Sequence, residues 1–165
     1  MESMLSFYCE VLGFHVRNRD EIDGNGIAFI SQDPEEHHQI VLLEGIPTGE
    51  PQLHFADHLA FRVDGLDAVR AVRDRLVAAG VERIASVTHG NAWSVYFTDP
   101  EGNGIECFTD SPFHVAQPYL EPFDLDAPND EIVATTRAEI EDQPVFQPMA
   151  DYQAAFEAKL TSDGR

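Results

Sequence analysis

Tyr96 and Glu106 bracket a turn-forming run, Asp99-Pro100-Glu101-Gly102-Asn103, and each lies inside an otherwise apolar stretch. If that run closes a hairpin, Tyr96 falls opposite Glu106 and both side chains leave the same face of the sheet. A carboxylate within Gly104-Ile105-Glu106-Cys107-Phe108 is costly to bury unless it is solvated or coordinated. Taken alone, Glu106 fits a solvent-facing strand residue as well as a ligand. His58 occupies an earlier alternating stretch, in which Leu59, Phe61 and Val63 share one face and His58, Ala60 and Arg62 the other. Imidazole, carboxylate and phenol are groups that bind metal ions and move protons. His58 by itself also fits a hydrogen-bonded strand residue.

The other histidines are weaker candidates on spacing alone. His54 shares the face of His58 but lies about 13 Å away along an extended strand, too far to bind the same ion. His37 and His38 are adjacent, so only one of them can face a given side of a strand; a solvated surface turn fits them equally. His89, in His89-Gly90-Asn91, is explained by loop polarity without any function.

These residues need a framework, and the hydrophobic pattern supplies one. Met4 to Leu12 reads as a helix with Leu5, Tyr8 and Leu12 on one face, stopped by Gly13. Strands are expected near Phe14–Arg19, Ile27–Ser31 and His38–Glu44, with a turn at Asp23-Gly24-Asn25-Gly26. Ile46–Gln52 reads as a linker. The second half begins with a strand at His54–Val63 and a helix capped by Asp64, striped by Leu66, Val69, Val72 and Leu76, and ended by Gly80. Strands at about Glu82–Val87, Ala92–Thr98 and Gly104–Thr109 complete it. The second half thus reads strand-helix-strand-strand-strand and the first helix-strand-strand-strand, so an opening strand is expected to be missing before Met1. The organisation is a first module at 1–46, a second at 53–110, and an acidic, proline-rich and helical extension at 111–165. Two helices are expected in that extension, near Asn129–Glu141 and Met149–Leu160.

Composition limits the partners. Thirty acidic side chains face ten basic ones, a net charge of −20. Such a surface repels phosphate backbones, which argues against nucleic acid. No run of about 18 apolar residues is present, so no membrane-spanning helix is expected. Met1-Glu2-Ser3-Met4 carries no signal-like segment, and a cytoplasmic protein is expected. Cys9 and Cys107 lack metal-type or disulfide-framework spacing and read as inert thiols.

Together the motifs resemble the vicinal oxygen chelate superfamily, also called the glyoxalase, bleomycin-resistance and extradiol-dioxygenase superfamily. Phe7-Tyr8-Cys9-Glu10-Val11-Leu12-Gly13-Phe14 is similar to its first helix and exit. His58-Leu59-Ala60-Phe61-Arg62-Val63 is similar to the strand opening its second module. Asp99 through Glu106 is similar to its closing hairpin. The likeness covers about residues 3–110. It implies an α+β fold of paired βαβββ modules forming a cupped mixed sheet, here without the first strand of module 1 and with a C-terminal helical tail.

Within that superfamily the type I extradiol ring-cleavage branch fits best. The resemblance implies His58 and Glu106 as the second and third ligands of Fe(II), the two-histidine, one-carboxylate set suited to oxygen chemistry. It implies His38 as acid–base histidine, Tyr96 as a hydrogen-bond partner of the catecholate and His89 as a further pocket histidine. The first histidine ligand of the branch lies on the strand that this sequence lacks; a misassigned start or a truncated chain is the expectation. The implied activity is extradiol cleavage of a catechol-type aromatic diol by dioxygen, in aromatic catabolism, with a homo-oligomeric protein expected. Mn(II), Zn(II) or Ni(II) are the alternative metals to Fe(II); the alternative functions are a glyoxalase-type lyase or isomerase using Zn(II), Ni(II) or Co(II), and a metal-free drug-binding protein of the same fold. Trp93 and Phe113 fit either a second-ring pocket or core packing.

Overall fold

The structure, a computed structural model, describes residues 1–22, 24–34, 38–45 and 58–162. His37, His54 and the linker at 46–52 lie outside the described residues. The chain opens with α1 (Glu2–Ser6), which widens into a π-helical turn over Phe7–Val11 rather than running as one α-helix to Leu12. The Leu12 amide reaches back to the Phe7 carbonyl at 3.2 Å. This wider turn lets the neighbours Phe7 and Tyr8 both enter the core. Gly13, at φ +83°, reverses the chain as a helix stop does.

Three antiparallel strands follow in the order β1 (His15–Ile22), β2 (Asn25–Ser31) and β3 (Ile40–Leu43). The last is shorter than expected: His38 precedes it, and the Gln39 side chain turns away to accept a hydrogen bond from the Gln32 amide at 2.8 Å.

The second sheet contains β4 (His58–Arg62), β5 (Ala85–Thr88), β6 (Ala92–Thr98) and β7 (Gly104–Asp110), with α2 (Gly65–Ala78) between β4 and β5. Its order is β4-β7-β6-β5, extended at the β5 edge by β9 (Glu121–Pro122). β4 runs parallel to β7 and the remaining neighbours are antiparallel. The mixed α+β architecture matches the sequence expectation, with two further local corrections in this sheet. Asp64 holds the N-cap position of α2 without a side-chain cap; Thr109 Oγ1 accepts from the Gly65 amide instead, at 3.1 Å. β5 starts at Ala85 rather than Glu82, because the Val81 amide still bonds the Leu76 carbonyl and residues 81–84 are spent leaving the helix.

The two faces of this sheet differ in chemistry. Trp93, Val95, Phe97, Ile105 and Cys107 pack with Leu66, Val69, Val72 and Leu76 of α2 in one core. Fully burying each such aliphatic side chain stabilises the fold by about 1.5–3 kcal/mol. Alternation then sends Ser94, Tyr96 and Glu106 to the opposite face. The extension beyond Asp110 is docked, not trailing. It contributes β8 (Phe113–His114), paired with β10 (Gln147–Pro148), and the helices α3 (Asn129–Ile140) and α4 (Met149–Ser162). Arg70 of α2 donates to the Leu125 and Ala127 carbonyls, each at 2.6 Å. The buried Trp93 indole donates to Thr136 Oγ1 of α3 at 2.9 Å, so Trp93 serves core packing rather than a pocket.

Candidate active site

The β6–β7 hairpin positions the site. Asp99 shapes its turn, accepting from the Glu101 and Asn103 amides at 3.0 and 2.9 Å and from Asn103 Nδ2 at 2.7 Å. The Tyr8 hydroxyl donates to the same carboxylate at 3.2 Å, tying the turn to the first helix. Burial, followed by the negative charge of Asp99, raises the Tyr8 pKa, so this phenol stays a donor. The resulting register pairs Tyr96 with Glu106, as the turn sequence predicts.

β4 adds the histidine. In its parallel register Ala60 lies beside Glu106 and His58 beside Gly104. Gly104 has no side chain to compete for the space, and the His58 ring leans along the sheet to Glu106. His58 Nε2 stands 3.1 Å from Glu106 Oε2. Glu106 is only 7% exposed. Its other oxygen, Oε1, accepts a hydrogen bond from Ser94 Oγ at 2.6 Å.

Tyr96 and His89 form the second half of the cluster. The Tyr96 ring meets the His58 ring edge-on, with centroids 5.3 Å apart. The Tyr96 hydroxyl is 2.9 Å from His89 Nε2, and that nitrogen is 3.8 Å from Glu106 Oε1. His89 Nδ1 faces the Tyr119 carbonyl at 2.9 Å. A carbonyl can only accept, so Nδ1 carries the proton; in the neutral ring Nε2 then accepts from the Tyr96 hydroxyl. Gln117 secures this arrangement. Its Nε2 donates to the His89 carbonyl at 2.8 Å and its Oε1 accepts from the Tyr119 amide at 3.1 Å.

Four of the five site residues read from the sequence, His58, His89, Tyr96 and Glu106, thus meet on one face of the second sheet. His38 is placed beside the first sheet, its ring edge-on to Phe29 at 5.3 Å. Sequence reasoning missed Ser94, although a serine two residues before Tyr96 in an apolar strand was a readable signal. It also missed Gln117 and Tyr119, whose approach to His89 no local pattern announces.

The donor set fits part of a metal centre. Two ligands about 2.1 Å from one ion and at right angles stand about 3 Å apart, which is the separation of His58 Nε2 and Glu106 Oε2. Among the described residues no group of three His, Cys, Asp or Glu side chains is arranged around one point. The pair therefore fits two positions of an ion and leaves the others to further donors. An open groove of about 480 Å³ adjoins the pair, with His58, Tyr96, Thr98, Ala85, Ile84 and Arg83 among its walls.

The family model described as Glyoxalase/Bleomycin resistance protein/Dioxygenase superfamily matches residues 1–107. The chain belongs to this superfamily. Biphenyl-2,3-diol 1,2-dioxygenase 2 of Rhodococcus globerulus is 37% identical over 114 residues, 67% of this chain and 57% of that protein. Catechol-2,3-dioxygenase of Bacillus subtilis (strain 168) is 32% identical over 118 residues, 68% of this chain and 38% of that protein. The chain thus spans little more than half of the first relative and less of the second. Among solved structures, a glyoxylase/bleomycin resistance protein/dioxygenase domain from Frankia sp. EAN1pec superposes with a TM-score of 0.56 at 21% identity, over 67% of this chain and 88% of that one. At that identity the likeness concerns the superfamily fold, which this chain shares.

Proposed function

We propose that this superfamily member carries an extradiol-dioxygenase site that opens a catechol-type ring with Fe(II) bound at His58 and Glu106. The observation that carries this reading is the buried Glu106 carboxylate, divided between Ser94 and His58, the latter lining a groove together with Tyr96. Its kinship with dioxygenases acting on biphenyl-2,3-diol and catechol supports it. When bound, Fe(II) supplies chelation of both diol oxygens and activation of dioxygen.

The rest falls to the chain's own side chains. Ser94 fixes the Glu106 carboxylate in one rotamer, so that Oε2 stays turned toward His58. Tyr96 stands over the groove with its hydroxyl held by His89, and can pass that hydrogen bond to a diol oxygen. His89, locked with its proton on Nδ1, offers Nε2 as the acceptor for a proton arriving through Tyr96. His38 belongs to the same proposal in the acid–base role that the resemblance implies. The carbon–carbon bond beside the two hydroxyls breaks and both atoms of dioxygen enter the product. A muconic semialdehyde forms, or a related keto acid where the cleaved carbon bears a substituent, and no external reductant is consumed.

The test is aerobic incubation of iron-loaded protein with catechol and biphenyl-2,3-diol, followed in the visible range. A yellow ring-fission product is expected. Substrate recovered unchanged, with iron demonstrably bound, contradicts the reading.

A further inference from the structure

Among the described residues, the arginines are almost all committed to the fold. Arg17 donates to the Pro34 carbonyl and Arg75 to the Val11 carbonyl. Arg19, Arg62, Arg70, Arg73 and Arg137 pair with Glu2, Asp110, Asp67, Asp126 and Glu141. With thirty acids against ten bases, partners are abundant. Among the described residues, Arg83 is the one arginine that makes neither a hydrogen bond nor an ion pair.

Its position gives that freedom a use. Arg83 is exposed on the wall of the groove that holds His58 and Tyr96. Ala85, which opens β5, pairs with Tyr96. Arg83 lies two residues before Ala85, ahead of the strand, and lines the groove together with Thr98 and Gly104. The stretch between them is apolar on its near side, formed by Ile84 and Ala85. A diol held in the groove against His58 and Tyr96 would lay its ring along this wall and bring a substituent to the guanidinium. Glu82 also borders the groove but makes no ion pair with its neighbour Arg83, so the guanidinium keeps its donors for an incoming group. Guanidinium recognises carboxylate through paired N–H donors. In a chain of net charge −20 an anion finds few other places to land.

We infer that Arg83 is the specificity-determining contact of the groove, and that the preferred substrate is a catechol whose side arm ends in a carboxylate. The inference rests on the ring-cleavage reading for the diol end and on Arg83 alone for the acid end. Binding can therefore separate the two without any turnover.

Calorimetric titration of the protein with 3,4-dihydroxyphenylacetate, 4-ethylcatechol and phenylacetate tests it. The diol acid is expected to bind about three- to tenfold more tightly than 4-ethylcatechol, the size of one partly exposed charge pair. In Arg83→Ala that preference disappears while 4-ethylcatechol affinity holds, and Arg83→Lys restores part of it. Added salt shrinks the preference in the parent protein only. Equal affinity for acid and neutral diol, or a preference that survives in Arg83→Ala, overturns the inference. If phenylacetate matches the diol acid and depends equally on Arg83, the anion contact stands and the catechol reading falls.

Discussion

In the second sheet β4 runs parallel beside β7 and brings His58 to 3.1 Å from Glu106, whereas in the first sheet the described strands end at β3, beside which His38 packs on Phe29. The two sheets share a three-strand antiparallel plan. They differ in what flanks the last strand. β7 lies between β4 and β6, so Ile105 is fully buried and Glu106 almost so. β3 pairs only with β2 among the described strands, and Val41 and Leu43 are each 41% exposed. A hairpin carrying a carboxylate becomes a candidate active site only when a flanking strand delivers an imidazole to the same face and shields both groups from water.

Stability separates the two sheets most clearly. Ile105→Ala on β7 should cost about 2–5 kcal/mol, through lost burial and the cavity left behind. Val41→Ala on β3 should cost about 0.5 kcal/mol or less. Urea unfolding of the two variants measures the contrast, and equal losses would erase the proposed difference between the sheets. Next in size, Glu106→Gln keeps shape but removes the charge facing His58. Ring-cleavage rate should fall by more than about 100-fold, with the urea midpoint little changed. Ser94→Ala should be milder, about tenfold in kcat, because it frees the Glu106 rotamer without removing a ligand-type group.

The smallest effect concerns the extension. His114 stacks on Tyr152 of α4 with centroids 3.6 Å apart, and its buried Nδ1 has no hydrogen-bond partner. Burial lowers its pKa below the ordinary value. Between the folded and unfolded values the unfolded chain binds more protons, so stability rises with pH. The loss should open as pH falls below about 6.5 and stop growing below the folded value. His114→Asn should flatten that part of the pH–stability curve; thermal melts between about pH 7 and pH 5 would reveal it.

The hairpin register and the membership of Tyr96 and Glu106 were legible because a five-residue turn fixes which residues oppose each other. The helix α2 and its core stripe were legible from periodicity alone. The π-helical turn was not, because its apolar spacing is compatible with an α-helix until Tyr8 must reach Asp99. The cap of α2 was misread for a similar reason: Asp64 has the right chemistry, but Thr109, distant in sequence, meets the amide first. The Gln117–Tyr119 clasp on His89 depends on the docking of the whole extension, which Arg70 and Trp93 secure through contacts that no local pattern encodes.

In the proposed function an ion-binding, diol-facing site sits on the second sheet at His58 and Glu106. Titration of histidine-labelled protein with Mn(II), followed by paramagnetic broadening of the imidazole resonances, tests it most directly. His58 should broaden first and His89 next, with His15 on β1 and His114 in the extension unaffected at the same concentration. Broadening that reaches His15 or His114 first, or that spares His58, would contradict it.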